Sequence, residues 1–145
     1  MSKIRHQNIQ KEIAESIKVK SLILENLDII YKIDKIAEIC TDALKSSKKI
    51  IFAGNGGSFA DAQHLCAEFV SKFKFNRSPL NSICLGTNSS TISAIGNDFG
   101  FNKIFKREIE AYGNCDDIFI VISTSGMSKN LIEAVKVAQQ KKIKV

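Results

Sequence analysis

The chain has 145 residues, of which 44% are hydrophobic and 25% charged, and its formal net charge is +6 at pH 7. This length corresponds to one domain with room for a sizeable core. No apolar run approaches the ~18 residues of a transmembrane helix, and the N-terminus has no apolar signal-peptide segment. We therefore expect a cytoplasmic protein with no membrane partner. The lysines are scattered rather than grouped with aromatic residues, which argues against a nucleic-acid partner.

Cysteine and histidine usage limits the metal chemistry of these 145 residues. The chain has two histidines, His6 and His64, so a site built from several of its own histidines is excluded. The cysteines contain no C-x-x-C pair, which is typical of small buried hydrophobic residues rather than of disulfides or metal ligands. They are Cys40, Cys66, Cys84 and Cys115.

The periodicity of apolar residues changes along the chain. Helical spacing dominates residues 7–30 and 33–44. Short continuous apolar runs then alternate with helix-length segments. The runs are "KIIFAG" (49–54), "LNSICLG" (80–86), "DDIFIVIS" (116–123) and the final "KIKV", and the helical segments cover 58–74, 101–112 and 127–141. This alternation predicts an α/β fold: a three-layer α/β/α sandwich around a parallel, doubly wound sheet.

One domain is expected over residues 1–145, with N-terminal helices in 1–47 and the α/β core in 48–145. The sequence ends at Val145, inside an apparent strand. An open sheet that ended there would have an unpaired edge and an uncovered face. We therefore expect that at least one further helix and strand are missing.

A glycine-rich turn follows the first predicted strand. In "FAGNGGS" (52–58) the strand ends in glycines and leads directly into a helix. Such a turn lets a ligand approach the backbone and the free N–H groups of the helix. It is neither a Walker loop nor a dinucleotide fingerprint, because no Gly-Lys-Ser/Thr follows and Phe59 stands where the third glycine would be. A plain strand-to-helix turn remains the alternative.

A second loop between a strand and a helix is rich in hydroxyl groups. Its sequence is Ser123-Thr124-Ser125-Gly126-Met127-Ser128. One hydroxyl would suffice to cap the helix. Four hydroxyls with a glycine favour the binding of an anion such as phosphate over capping alone.

The helix after the glycine turn carries Asp61, His64 and Glu68 on one stripe. An apolar stripe, Leu65, Phe69 and Phe73, is expected to face the core. A third side is lined by the small residues Ala60, Ala67 and Ser71. This pattern suggests a helix held between its own sheet and a second protein surface, where burial would adapt His64 and Glu68 to catalysis. A solvated polar row remains equally open.

A fourth segment, "GNDFGF" (96–101), places Asn97 and Asp98 between two glycines before a predicted helix. It is typical of an ordered turn that either caps the helix or contacts a polyhydroxy ligand.

Together these segments resemble the sugar isomerase (SIS) domain and, within it, the phosphoheptose isomerases. The resemblance rests on "GNGGSFADAQHLCAEF", "AIGNDFGF" and "ISTSGMSKN" in the family's order and spacing, and it covers essentially the whole chain. It implies an aldose–ketose isomerase that converts sedoheptulose 7-phosphate to D-glycero-D-manno-heptose 7-phosphate for bacterial surface glycans, either lipopolysaccharide or capsule. It also implies a cytoplasmic homo-oligomer, specifically a tetramer.

The resemblance also implies roles for individual residues. The sugar phosphate would be contacted by Asn55, Gly56, Gly57 and Ser58, and its phosphate held by Ser123, Thr124, Ser125 and Ser128. Asn97 and Asp98 would contact the sugar, and Glu68 would act as the catalytic base and also bind substrate. His64 and Glu68 would bind zinc. The remaining zinc ligands and the second acid/base group, a Gln and a His on a C-terminal helix, would lie beyond residue 145.

Two other functions compete with this one. A non-catalytic SIS protein of the type that binds the replication initiator shares the fold and the glycine loop, but that class lacks the helix glutamate found here as Glu68. An SIS isomerase of another sugar phosphate is the second alternative, because a phosphate site does not distinguish sugars with different numbers of carbon atoms.

Overall fold

The computed structural model describes residues 2–145. Within that range it contains six α-helices, a short 3-10 helix (Phe101–Lys103) and three β-strands. The strands are β1 (Ile50–Gly54), β2 (Ser82–Cys84) and β3 (Ile118–Ile122). The helices are α1 (Ser2–Glu25), α2 (Leu27–Lys45), α3 (Gly57–Val70), α4 (Ser89–Phe99), α5 (Ile104–Tyr112) and α6 (Lys129–Gln140).

The chain divides into two compact units, one ending at Ile39 and the other beginning at Cys40. The first unit contains α1 and most of α2. The two helices separate at Asn26, whose side chain accepts a hydrogen bond from the Ile29 N–H at 3.2 Å and so begins α2. The helix break predicted between residues 30 and 33 was therefore placed too late. The single-domain organisation over residues 1–145 stays a prediction.

Within this first unit, the large apolar residues of α1 from Ile9 onward lie on the surface. Ile9, Ile13 and Ile17 are all more than half exposed, and they recur every four residues. These isoleucines form an exposed apolar row along α1.

The second unit contains a parallel sheet with the strand order β2-β1-β3. Ile50 pairs with Ser82 in β2 and with Ile118 in β3, and Gly54 pairs with Ile122. Because all strands run in the same direction, their carboxyl ends meet at one edge of the sheet. The loops that follow β1 and β3 therefore begin side by side.

Helices cover both faces of this sheet. Alternate residues of β1 point to opposite faces: Ile50 and Phe52 pack in a cluster with α3 and the end of α2, and Ile51 and Ala53 pack with α4, α5 and α6. The predicted three-layer α/β/α arrangement and parallel sheet are confirmed. Among the described residues, no helix has the length and apolar character needed to cross a membrane.

The final segment and one helix differ from expectation. The predicted strand "KIKV" forms a single bridge, from Lys144 to Ile118, rather than a strand. Helix α4 was not predicted. Its first turn is rich in Ser and Thr, which are poor helix formers, but Asn88 caps it by accepting a hydrogen bond from the Thr91 N–H at 3.0 Å.

The core-facing side of α3 also differs. The stripe that packs on the sheet consists of buried Ala62 with partly buried Phe59, Cys66 and Phe69. The prediction that Leu65 and Phe73 face the core was wrong: Leu65 is 39% exposed and Phe73, which lies beyond the end of α3, is 56% exposed.

Candidate active site

The glycine loop, residues 54–58, occupies the carboxyl end of β1. A Cβ at Gly54 would stand 2.9 Å from the Phe59 nitrogen and closer still to the Ser58 carbonyl oxygen, so the first turn of α3 can approach only glycine here. Gly56 has φ +55°, a conformation that side-chain-bearing residues rarely adopt. A Cβ at Gly56 or Gly57 would meet nothing within 4 Å. The loop thus leaves space beside its backbone.

The start of α3 lies in this loop. The helix begins at Gly57, and no side chain caps it at Gly56. The Gly56 cap position thus supplies no side-chain acceptor to the first N–H groups of this 14-residue helix, which lie at the positive end of the helix dipole. This arrangement suits an anion.

The hydroxyl loop, residues 123–128, begins beside the glycine loop. The Ser123 Oγ accepts a hydrogen bond from the Gly126 N–H at 3.1 Å, and the Ser125 Oγ accepts one from the Met127 N–H at 3.2 Å. Each of these hydroxyls still has its own proton to donate. Ser128 precedes α6 without a side-chain cap bond. The hydroxyl groups therefore shape the loop and retain donors for a ligand.

Asn130, which the sequence analysis did not select, joins the two loops. Its amide exchanges two hydrogen bonds with the amide of Asn55: Asn55 Nδ2 donates to Asn130 Oδ1 at 3.0 Å, and Asn130 Nδ2 donates to Asn55 Oδ1 at 2.9 Å. Asn130 is 2% exposed. No signal in the sequence connects two asparagines 75 residues apart.

A cavity of about 190 Å³ adjoins the glycine loop. Its other walls are apolar and include Phe59, Gly86, Phe101 and Phe105. Gly86 has φ +85°, and a Cβ there would stand 3.2 Å from the Phe59 and Phe105 rings. Gly86 was not predicted as a site residue, because it stands at the end of the run "LNSICLG" (80–86), which was interpreted as a strand.

The position of Gly86 is held by a buried carboxylate. Glu108 of α5 is 4% exposed, and its Oε2 accepts a hydrogen bond from the Gly86 N–H at 2.7 Å. Burial raises the pKa of Glu108, and the hydrogen bond from Gly86 opposes that shift. Glu108 was also missed, because the sequence gives no indication that a glutamate on an amphipathic helix is buried.

Asn97 and Asp98 lie in the last turn of α4, not in an ordered turn before a helix as expected. Both are exposed, and Asn97 Nδ2 donates a hydrogen bond to Asp98 Oδ1 at 2.8 Å. Neither residue lines the 190 Å³ cavity.

His64 and Glu68 lie near the other end of α3. His64 Nε2 is 3.7 Å from Glu68 Oε1, and the two side chains are 72% and 32% exposed. Asp61 is exposed as well. The burial expected for His64 is therefore absent in the single chain. Eleven residues separate Glu68 from Gly57, which corresponds to about 16 Å along the helix.

A second cavity, of about 390 Å³, surrounds this pair. Its lining is largely apolar: Leu65, Phe69, Phe73 and Phe75 join His64, Glu68 and Arg77. Arg77, another residue that the sequence analysis missed, donates to the carbonyl oxygens of Glu68 (2.6 Å) and Phe69 (2.9 Å). It thereby caps the end of α3 and fixes the backbone that carries Glu68.

His64 and Glu68 have the chemistry of zinc ligands. Two ligands at about 2.1 Å from a tetrahedral zinc ion are roughly 3.4 Å apart, close to the observed 3.7 Å. Among the described residues, no group of three or more His, Cys, Asp or Glu side chains is placed to hold a metal ion. The pair therefore fits half of a zinc site.

Comparison with known proteins identifies the family. A model of the SIS domain matches residues 10–145. The chain is 45% identical over 135 residues to the phosphoheptose isomerase of Sulfurimonas denitrificans, a match that covers 93% of this chain and 69% of the relative. It is 46% identical over 132 residues to the phosphoheptose isomerase of Clostridium acetobutylicum, with 91% and 67% covered.

Solved structures agree. A phosphoheptose isomerase from Francisella tularensis superposes with a TM-score of 0.91 at 34% identity and covers 96% of this chain and 72% of its own. The enzyme from Neisseria gonorrhoeae gives 0.86 at 37% identity, with 95% and 71% covered. The chain thus spans roughly two thirds to three quarters of the length of these relatives. It belongs to the SIS-domain family and, within that family, to the phosphoheptose isomerases.

Proposed function

We propose that this protein is an aldose–ketose isomerase that converts sedoheptulose 7-phosphate to D-glycero-D-manno-heptose 7-phosphate. One observation carries the proposal: a chain 45% identical to a phosphoheptose isomerase brings an uncapped helix N-terminus and a hydroxyl loop together at one edge of its sheet. Both features suit a phosphate group.

In this proposal the phosphate binds between the two loops. The backbone N–H groups of Gly56, Gly57 and Ser58 contact it from one side. The hydroxyl groups on the other side are those of Ser123, Thr124, Ser125 and Ser128. The amide of Asn55 has one donor and one acceptor position left after bonding Asn130, so it can still contact the sugar phosphate. Asn97 and Asp98 contact the sugar hydroxyls.

Glu68 is the proposed base. Isomerisation moves a proton between adjacent carbons through an enediolate, which requires a base beside the carbon and stabilisation of the developing oxyanion. The Glu68 carboxylate can take the proton from one carbon and return it to the next. Arg77 binds the carbonyl oxygen of Glu68 and so limits the movement of this part of the helix.

We propose that Glu68 acts as the base on a substrate whose phosphate is held by a second copy of the chain. A seven-carbon sugar phosphate built from bonds of about 1.5 Å spans roughly 10 Å, less than the ~16 Å of helix between Gly57 and Glu68. Gly56 of the glycine loop and Glu68 also border different cavities. The exposed apolar rim of the Glu68 cavity and the isoleucines of α1 support a homo-oligomer, for which the resemblance implies a tetramer.

Zinc is the proposed metal. His64 and Glu68 would hold it, and the remaining ligands would come from residues beyond position 145, as the resemblance implies. When bound, zinc supplies a Lewis acid that polarises the carbonyl oxygen of the sugar. The proposed setting is the bacterial cytoplasm, where the reaction would begin the synthesis of the heptose found in lipopolysaccharide or capsule.

The test is turnover of a panel of sugar phosphates, with and without added zinc. The panel contains sedoheptulose 7-phosphate, fructose 6-phosphate and an amino-sugar phosphate. It is run on the 145-residue chain and on a chimera that adds the unmatched segment of the S. denitrificans relative. We expect preference for sedoheptulose 7-phosphate. Preference for a hexose phosphate would contradict the substrate, and binding without turnover of any substrate by either form would favour the non-catalytic SIS function.

A further inference from the structure

The amide pair between Asn55 and Asn130 connects the two loops of the candidate phosphate site. Asn55 immediately precedes the open backbone of Gly56, and Asn130 lies two residues after Ser128. The two reciprocal hydrogen bonds, at 3.0 and 2.9 Å, join the glycine loop to the first turn of α6, which directly follows the hydroxyl loop. They span 75 residues of sequence.

The orientation of this pair is fixed by a third hydrogen bond. The Leu131 N–H is shared between the Ser128 carbonyl oxygen at 3.1 Å and Asn130 Oδ1 at 3.0 Å, and an N–H that faces this atom favours its assignment as the oxygen of the amide. The nitrogen must then face the oxygen of Asn55, as observed. Asn130 is 2% exposed, so water cannot readily replace a lost partner.

We propose that Asn130 is a positioning residue that holds the glycine loop and the hydroxyl loop at the separation needed to bind one phosphate between them. The proposal rests on the proposed function, whose substrate supplies that phosphate. Asn130 does this through the side chain of Asn55 and does not itself contact the ligand. Removal of either amide frees both loops, because each is the partner of the other.

A purely local role for Asn130 predicts something different. Its Oδ1 accepts an N–H in the first turn of α6, so its loss could simply weaken that helix. Asn88 provides a matched control, because its Oδ1 likewise accepts a first-turn N–H, that of Thr91 in α4, at 3.0 Å. Asn88→Ala removes a comparable bond and leaves the amide pair intact.

The first experiment is hydrogen–deuterium exchange on the chain without ligand. In Asn130→Ala we expect faster exchange in residues 54–60, and in Asn55→Ala faster exchange in residues 123–131. Asn88→Ala should leave both segments at the wild-type rate. Wild-type exchange in the loop opposite each substitution would overturn the proposal.

The second experiment measures affinity by calorimetry, with sedoheptulose 7-phosphate and inorganic phosphate as probes. Each single alanine variant should bind about tenfold more weakly, the equivalent of one or two hydrogen bonds. The double variant should lose no more affinity than the single variant that binds more weakly, because either change already breaks the pair. Two losses that multiply, or single variants with wild-type affinity, would overturn the proposal.

The proposed function and the proposed role of Asn130 can be contradicted independently of each other. A wild-type chain that binds inorganic phosphate but not sedoheptulose 7-phosphate would contradict the proposed function. The reciprocal exchange and the phosphate affinities would still decide the role of Asn130.

Discussion

The two ends of α3 differ in how completely one chain builds them. At the N-terminal end, Gly54 is packed against the first helical turn and the amide pair joins two loops. At the other end, His64 is 72% exposed, and Phe73 and Phe75 are 56% and 69% exposed. The region around the glycine loop is thus packed and hydrogen-bonded within the chain, whereas the His64–Glu68 region presents apolar surface with nothing described against it.

The difference follows from the kind of group each region uses. A phosphate site made of backbone N–H groups is formed as soon as the strand, turn and helix fold. A general base and a metal ligand are side chains, and they work best where water is excluded. Exclusion of water requires a covering surface, so this region depends on further protein.

Glu68→Gln should lower the turnover of sedoheptulose 7-phosphate by at least about 10³-fold. The affinity for this substrate should stay largely unchanged. The substitution keeps the shape of the side chain and removes the base. Steady-state kinetics and calorimetry measure the two effects. Glu110→Gln, which changes an exposed glutamate on α5, is the control. Unchanged turnover in Glu68→Gln would exclude Glu68 from the chemistry.

Gly54→Ala should destabilise the protein by about 1–3 kcal/mol, as overpacking does, because its Cβ would clash with the backbone of Ser58 and Phe59. Thermal unfolding measures the loss. Gly57→Ala is the matched variant: its Cβ meets nothing within 4 Å, so its melting temperature should stay near the wild-type value while its phosphate affinity falls. Equal melting temperatures for both variants would contradict the close packing at Gly54.

Ser125→Ala should raise KM by roughly tenfold and change kcat little, because a hydrogen bond to phosphate forms equally in the ground and transition states. Ser93→Ala, an exposed serine on α4, is the control. A loss confined to kcat would remove Ser125 from the phosphate site.

Glu108→Gln should raise the melting temperature at pH 8, with the gain falling toward zero near pH 4. Burial raises the pKa of Glu108 above its unfolded value. The protonated form therefore favours the folded state, and stability is lost as the pH rises through the folded pKa. Glutamine does not ionise, so it avoids this loss and keeps an acceptor for Gly86. A gain that does not vary with pH would contradict this explanation.

The sequence predicted the three layers of the fold well. It predicted the positions of the helices and their core-facing sides less well. Parallel strands buried on both faces leave continuous apolar runs, which is why β1, β2 and β3 were found. Helix α4 was missed because packing of residues such as Ile95 overrides the weak helix propensity of its serines and threonines.

The candidate site shows the same limit. The glycine loop and the hydroxyl loop could be selected from the sequence because each is a local pattern of glycine or hydroxyl residues next to a strand, and their binding of a ligand stays a prediction. Asn130, Glu108 and Arg77 were missed because their roles come from partners that lie elsewhere in the sequence. The apolar stripe of α3 was misplaced because Ala62 and Cys66 carry little hydrophobic signal, although both face the core.

The most direct test of a shared active site is complementation between two inactive variants. Glu68→Gln disables the base, and Ser125→Asp places a negative charge in the phosphate site. The two chains are produced together, in whichever form turns over sedoheptulose 7-phosphate. We predict that the mixed oligomers regain activity, because some sites combine an intact Glu68 with an intact hydroxyl loop from another copy. Mixed oligomers as inactive as either variant alone would contradict a site built from two copies of the chain.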